Sequence, residues 1–214
     1  VNLGLIGRLL DAGVVTVEVA LGAWILGSIL GLIFAILRHL GGLMTRTAVS
    51  STVILLRAVP QLVLLYLIYF GLPVVGIQLS SLVAAIIALG VAESAFTAEY
   101  FRAGLQTVAA TQGEAGESLG LSRLRIFSLI IAPQGLIVAV PALLNSLIGL
   151  LKLATLASAV GAPEILYQSQ IEMSRFGNLS AIAATVVLIY ILVTLPGIRV
   201  VRRLERRISR MQTV

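Results

Sequence analysis

Five apolar stretches, each long enough to cross a bilayer and separated by short charged or polar segments, leave this chain few folds to adopt. A crossing helix takes roughly 20 mostly apolar residues. Residues 14–37 meet that requirement with Glu18 as their sole charge, and residues 53–70 follow with Arg57 and Pro60 near their start. Residues 82–101 form the third stretch and carry Glu93 and Glu99. Between 126 and 163 the sole charge is Lys152, in a run too long for one span and short for two; residues 179–198 are uncharged. Only 11% of the chain is charged and 59% is hydrophobic. Soluble domains carry about 25% charged residues, so the class is an all-helical integral membrane protein.

Basic residues in the connections arbitrate the ambiguous run, because positive charge stays on the cytoplasmic side. Arg38 and Arg46 follow the first stretch, whereas residues 71–81 after the second have no charge. Arg102, Arg123 and Arg125 follow the third; Glu164, Glu172 and Arg175 precede the last; the tail holds Arg199, Arg202, Arg203, Arg206, Arg207 and Arg210. The sides alternate when the long run crosses once. The expectation is five spans, N-terminus outside and C-terminus in the cytoplasm, with residues 126–133 as an interfacial helix ahead of span four. Splitting the run in two would put the arginine tail outside.

The rest of the composition excludes more than it specifies. With no cysteine and one histidine, His39, the chain has no thiolate chemistry and no histidine-built metal site of its own. The arginine tail directly follows an apolar span, which reads as an anchor beside anionic membrane lipid and not as a nucleic-acid site. The opening residues show no basic segment ahead of a long apolar core, so no cleavable signal is expected. Gly27 and Gly31 form a small-xxx-small seam, read as helix contact within one subunit or between two.

Between spans three and four lies a charged, glycine-punctuated segment, residues 111–133. Thr111 and Glu114 have capping-box spacing, Gly120 suits a left-handed helix end, and Ser122 is placed to cap a second helix. Pro133 is a plausible break. Two short helices on the cytoplasmic face are expected, either as a docking element or as a plain connection.

This segment resembles the EAA signature of the permeases of polar amino-acid ABC importers. Its Glu114-Ala115-Gly116, Leu119-Gly120-Leu121-Ser122, Phe127, Ile130, Pro133-Gln134, Pro141 and Asn145 follow that order. Upstream, Arg57 with Pro60, Tyr69-Phe70-Gly71-Leu72-Pro73 and Ala98-Glu99 with Arg102 and Gly104 are similar to further family motifs; downstream, Leu150-Leu151-Lys152 and Leu156-Ala157-Ser158 through Gly161, Pro163 and Glu164 continue the likeness. Gly116, Ala132 and Gly135 depart from the usual residues, as do Leu153 and Ala154 after the lysine.

The resemblance implies a type I importer permease in a bacterial inner membrane. Its partners would be a second permease subunit, a dimer of ATPases holding ATP and Mg, and an extracytoplasmic amino-acid-binding protein. Glu114, Ala115, Gly116, Leu119, Gly120 and Ser122 would contact the ATPase. The chain itself lacks the phosphate loop of an ATPase, since its only lysine, Lys152, follows Leu151. Charges inside a membrane are functional candidates by default. Glu93, in mid-span, either lines the pathway and favours a cationic group or pairs with Lys152 or Arg57. Lys152, Arg57 and Glu18 are the other pathway candidates, Glu18 with an outer-interface alternative. Glu99 and Arg102 read as an ion pair, Trp24 as packing and His39 as a solvated flank. A gradient-driven transporter would carry inverted repeats, which are not discernible, and a membrane enzyme would need a clearer set of catalytic residues.

Overall fold

The computed structural model describes residues 3–108, 110–177 and 179–212, and they are helical with no strand among them. The first helix, α1 (Leu3–Leu40), is far longer than the apolar stretch that announced it. Two helices follow, α2 (Leu43–Ala58) and α3 (Gln61–Tyr66), the latter continuing through a π turn (Leu67–Gly71) and a 3-10 turn (Leu72–Val75). The second span is therefore not straight: its two halves meet at 97°. Pro60 is the cause. It lacks the N–H that would continue the ladder and forces Val59 into an extended conformation (φ −79°, ψ 126°), so the helix stops at Ala58.

Next comes α4 (Ser81–Gln106), capped where the Ser80 hydroxyl accepts the Val83 N–H at 3.3 Å. A cytoplasmic hairpin, α5 (Ala110–Ser118) and α6 (Arg123–Ile126), leads through a π turn (Phe127–Ile131) into α7 (Ala132–Leu153) and a 3-10 extension (Ala154–Val160). Residues Arg123–Val160 thus form one helical rod, and the separate interfacial helix expected before Pro133 does not exist. The π turn explains why the proline breaks nothing. It displaces the backbone ladder just where Pro133 has no N–H to give, in the first turn of α7.

α8 (Ile165–Phe176) is an element that periodicity did not reveal, and α9 (Leu179–Gln212) extends well past the last apolar stretch into the arginine tail. Arg199, Arg202, Arg203, Arg206 and Arg207 are exposed on it. The side chain of Arg210 lies outside the described ones. Among the described residues four helices are long and apolar enough to cross a membrane, and the bent α2–α3 pair brings the number to five if its two halves are one span.

α1 and α4 run parallel and form the centre of the bundle. Ala20, Ala23, Gly27 and Gly31 on α1 meet Ala85, Ala88, Gly90 and Ala98 on α4, so the two backbones come close. A methyl added at Gly27 would lie 2.8 Å from Glu93 Cβ, and one at Gly90 would lie 2.8 Å from Leu26. The Gly27–Gly31 seam therefore serves contact within this chain. α7 packs on both: Leu150, Ala154 and Ala157 join Val19, Leu65 and Leu89 in the outer half, while Ala139, Leu143 and Phe127 join Ala35, Phe101 and Leu105 in the inner half. Trp24 bridges the two clusters, and its indole N–H donates to the Leu143 carbonyl at 2.7 Å.

Candidate functional site

The cytoplasmic hairpin owes its shape to one glycine and two isoleucines. Gly120 adopts φ +71°, a conformation that favours glycine. Its N–H bonds to Glu117 O at 2.9 Å and the Leu121 N–H to Gly116 O at 3.1 Å, which satisfies the last carbonyls of α5 in a Schellman pattern. Gly116 is buried against α6 and the π turn. A methyl there would sit 2.9 Å from Ile126 Cγ1 and 3.2 Å from Ile130 Cδ1, so the glycine and the two branched side chains fit one another. A further tie comes from Gln134, whose amide donates to the Gln112 side chain at 2.7 Å.

The start of α5 differs from the capping-box expectation. Ala110 is already helical, so Thr111 lies inside the first turn, and no capping bond joins Thr111 and Glu114 among the described residues. Ser122 does hold the N-cap position of α6, with extended backbone (φ −68°, ψ 154°), but its hydroxyl makes no capping bond. What the hairpin presents outward is clear. Glu114, Ala115 and Glu117 are exposed, flanked by Leu119 at 79% and Leu124 at 64% exposure. This is an acidic, small-residue surface edged by two apolar side chains.

Residues 27–210 match the family described as binding-protein-dependent transport system inner membrane component. The chain belongs to this family. It is 35% identical over 145 residues to the probable amino-acid ABC transporter permease protein YckA of Bacillus subtilis, covering 68% of this chain and 64% of that one. Over 161 residues it is 35% identical to the probable glutamine ABC transporter permease protein GlnP of the same organism, covering 75% and 74%. Its fold matches a crystal structure of an amino acid ABC transporter with histidines at TM-score 0.86 and 29% identity, over 94% of each chain. The inward-facing MetNI methionine transporter shares the fold at TM-score 0.74, with 22% identity over 95% of this chain and 99% of that one.

Within this inner membrane component, the intramembrane charges divide into paired and unpaired groups. Glu99 accepts from Arg38 at 2.7 Å and from Arg102 at 2.6 Å, an ion-paired cluster at the cytoplasmic end of α4 that also ties in α1. At the other end of α1, Arg8 forks onto Glu172 of α8 at 2.8 and 2.9 Å. The hydrogen bonds from Arg8 hold the Glu172 carboxylate below the usual carboxylate range.

Glu93 belongs to neither cluster. It is 4% exposed in the middle of α4, pressed against Gly27, and one carboxylate oxygen, Oε1, has no hydrogen-bond partner. Ion pairs with Lys152 or Arg57 do not form among the described residues. Arg57 instead stands exposed at the bend of the second span, its guanidinium 5.3 Å over the Phe96 ring. Lys152 is exposed in the last turn of α7. Glu18 is exposed on α1 beside a lateral cavity of about 340 Å³ that Tyr190 and Ile165 also line. His39 is not a solvated flank: it is half-buried and its ring lies 5.0 Å from that of Phe127.

Two residues that sequence reasoning passed over position α8. Glu164 is fully buried and caps this helix, accepting the Tyr167 N–H at 2.8 Å and the Leu166 N–H at 2.9 Å. Burial raises its carboxyl to about 7 against the opposing pull of those two N–H groups. Thr16 accepts the Ile165 N–H at 3.2 Å from α1. The signal was present as an acidic N-cap after Pro163 and a C-terminal glycine, Gly177 (φ +64°), closing a helix of 12 residues.

Proposed function

We propose that this chain is a permease subunit of an ATP-driven importer for polar amino acids, moving substrate delivered by an external binding protein. The observation that carries the mechanism is the hairpin at the foot of α7. Glu114, Ala115, Leu119 and Ser122 stand outward while Gly116 and Gly120 shape the turn, and the hairpin is packed on Ile126 and Ile130 of the same rod that crosses the membrane. An ATPase dimer, which would hold the ATP and Mg, docks on that outward surface. Its closure pushes α5, and the rod carries the push to the outer face without a slack joint. A near-complete switch between inward- and outward-open states requires ATP to favour one of them by roughly 5 kcal/mol. The chain does not itself hydrolyse ATP in this reading; a second permease, identical or related, completes the pathway.

The amino-acid assignment is supported by the relatives above, an amino-acid and a glutamine permease among them. A zwitterion needs a cation for its carboxylate and an acceptor for its ammonium. Arg57, without a carboxylate partner at the broken second span, and Lys152 supply the first. Glu93 supplies the second when the α1–α4 seam opens; Glu18, on the lateral cavity, is the remote candidate.

The test is co-purification. Glu114→Lys reverses the charge of the outward surface and should release a P-loop ATPase from the complex while the chain still inserts in the membrane. A variant complex that stays intact with full substrate-stimulated hydrolysis would rule the docking reading out.

A further inference from the structure

A cavity of about 900 Å³ opens between the cytoplasmic ends of α1, α2 and α4 and is floored by α5 and α6. Its wall carries Arg38, Arg46, Arg102 and Arg123. Only two carboxylates stand against these four, Glu117 on the wall and Glu99, which Arg38 and Arg102 share. Arg46 donates to the His39 carbonyl, and neither Arg46 nor Arg123 pairs with a carboxylate among the described residues. The cavity is thus a pocket of excess positive charge.

Its depth and its neighbours say what kind of anion it suits. Leu21, Ile25, Ile29, Ile33 and Leu37 recur every four residues on α1 and are each 40% to 55% exposed. This apolar stripe winds down the helix toward Leu40, which lies on the cavity wall. Ile54 of α2, 66% exposed, is on the wall as well. Apolar surface for hydrocarbon therefore leads directly into guanidinium groups at the level where headgroups sit.

We propose that this cavity binds the phosphate headgroup of an anionic phospholipid of the inner leaflet, with an acyl chain laid along the α1 stripe. Arg46 and Arg123 grip the phosphate oxygens, a geometry the guanidinium fork matches. The stripe selects a lipid over a soluble phosphate, which has nothing to place there. This site shares Glu117 with the exposed surface of the hairpin and is separate from the charges in mid-membrane.

The test is native mass spectrometry of the complex purified through this chain, delipidated and titrated with phosphatidylglycerol or phosphatidylcholine. The expected result is retained phosphatidylglycerol at no less than about tenfold preference. Arg46→Gln with Arg123→Gln should weaken its retention about 20- to 30-fold, at roughly fivefold for each cation near a membrane surface. Arg202→Gln with Arg203→Gln, in the tail that reads as an anchor at the lipid surface, should weaken it less than the cavity variant does. Equal retention of the two lipids by the unaltered protein overturns the proposal whether or not the variants fold. So does a tail variant that weakens binding as much as the cavity variant. Displacement of the lipid by equimolar glycerol phosphate would reassign the site to a soluble anion and also overturn it.

Discussion

The Thr97 hydroxyl donates to the Gly27 carbonyl across 2.7 Å, pinning α4 to α1 in the middle of the bundle. One turn along, a methyl at Gly31 would fall on that same hydroxyl, 2.7 Å from Ala98 N and 2.8 Å from Ser94 O. Two of these three obstructing atoms are backbone and cannot rotate away. Gly31→Ala should therefore lower stability by about 1–3 kcal/mol, the usual cost of overpacking. Thr97→Val keeps the volume and should cost about 1 kcal/mol or less, as interhelical hydrogen bonds in membranes do. Thermal unfolding in detergent ranks the two; a harmless Gly31→Ala would mean that the seam is looser than described.

Gly116 stands where relatives of this signature usually carry alanine, and its neighbours explain the difference. With Ile126 Cγ1 only 2.9 Å from a would-be methyl, Gly116→Ala should loosen the hairpin, a loss of about 1 kcal/mol after the gain in helix propensity is set against the clash. Adding Ile126→Val makes room and should restore stability. Protease sensitivity of the hairpin, compared across the single and double variants, checks this compensation.

Glu164 and Glu172 lie at opposite ends of the electrostatic scale on one short helix. Glu164, raised to about 7 by burial, binds a proton in the folded state that the unfolded chain has released, so stability falls as pH rises from about 4.3 to about 7. Glu172 is lowered by its bonds from Arg8, so its contribution is present above the ordinary carboxylate pKa and is lost as pH falls through the folded value. Unfolding temperatures between about pH 2 and 8 should show Glu164→Gln flattening the part above about 4.3 and Glu172→Gln the acidic part below it. Profiles that move together would contradict the assignment.

Glu93→Gln preserves shape while removing an ionisable group that has one unpartnered oxygen. Under the proposed function, uptake by the reconstituted complex should fall by about tenfold or more, as the loss of a charge-assisted hydrogen bond of about 1.5–3 kcal/mol implies. The unfolding temperature should hardly change. Full uptake would remove Glu93 from the pathway.

Much of the architecture was legible because bilayer length and positive charge act on stretches of residues, not on single contacts. Arg57, Pro60, Glu93 and Lys152 were all visible as exceptions within those stretches. What they do was not. The 97° bend follows from Pro60, but its size is set by what α3 packs against, since its Leu65 is buried in the outer cluster with Val19, Leu89 and Leu150. That Oε1 of Glu93 lacks a partner depends on which face of α4 meets Gly27, a tertiary outcome. α8 went unseen because its apolar positions are few, while its caps, Glu164 and Gly177, were readable all along. The capping box at Thr111 failed for a local reason: alanine at 110 extends the helix past the threonine that would have started it.

The rod Arg123–Val160 touches α4 most closely where Gly135 meets Gly104 and Leu105, with a methyl on Gly135 only 2.8 Å from Leu105 Cα. That contact divides the rod unequally. At 1.5 Å per residue, about 18 Å lie on the hairpin side and about 38 Å on the outer side. For any tilt about this fulcrum, a displacement delivered at α6 emerges roughly doubled at the far end. The two glycines let the backbones touch, and in doing so they set the gearing ratio of a lever.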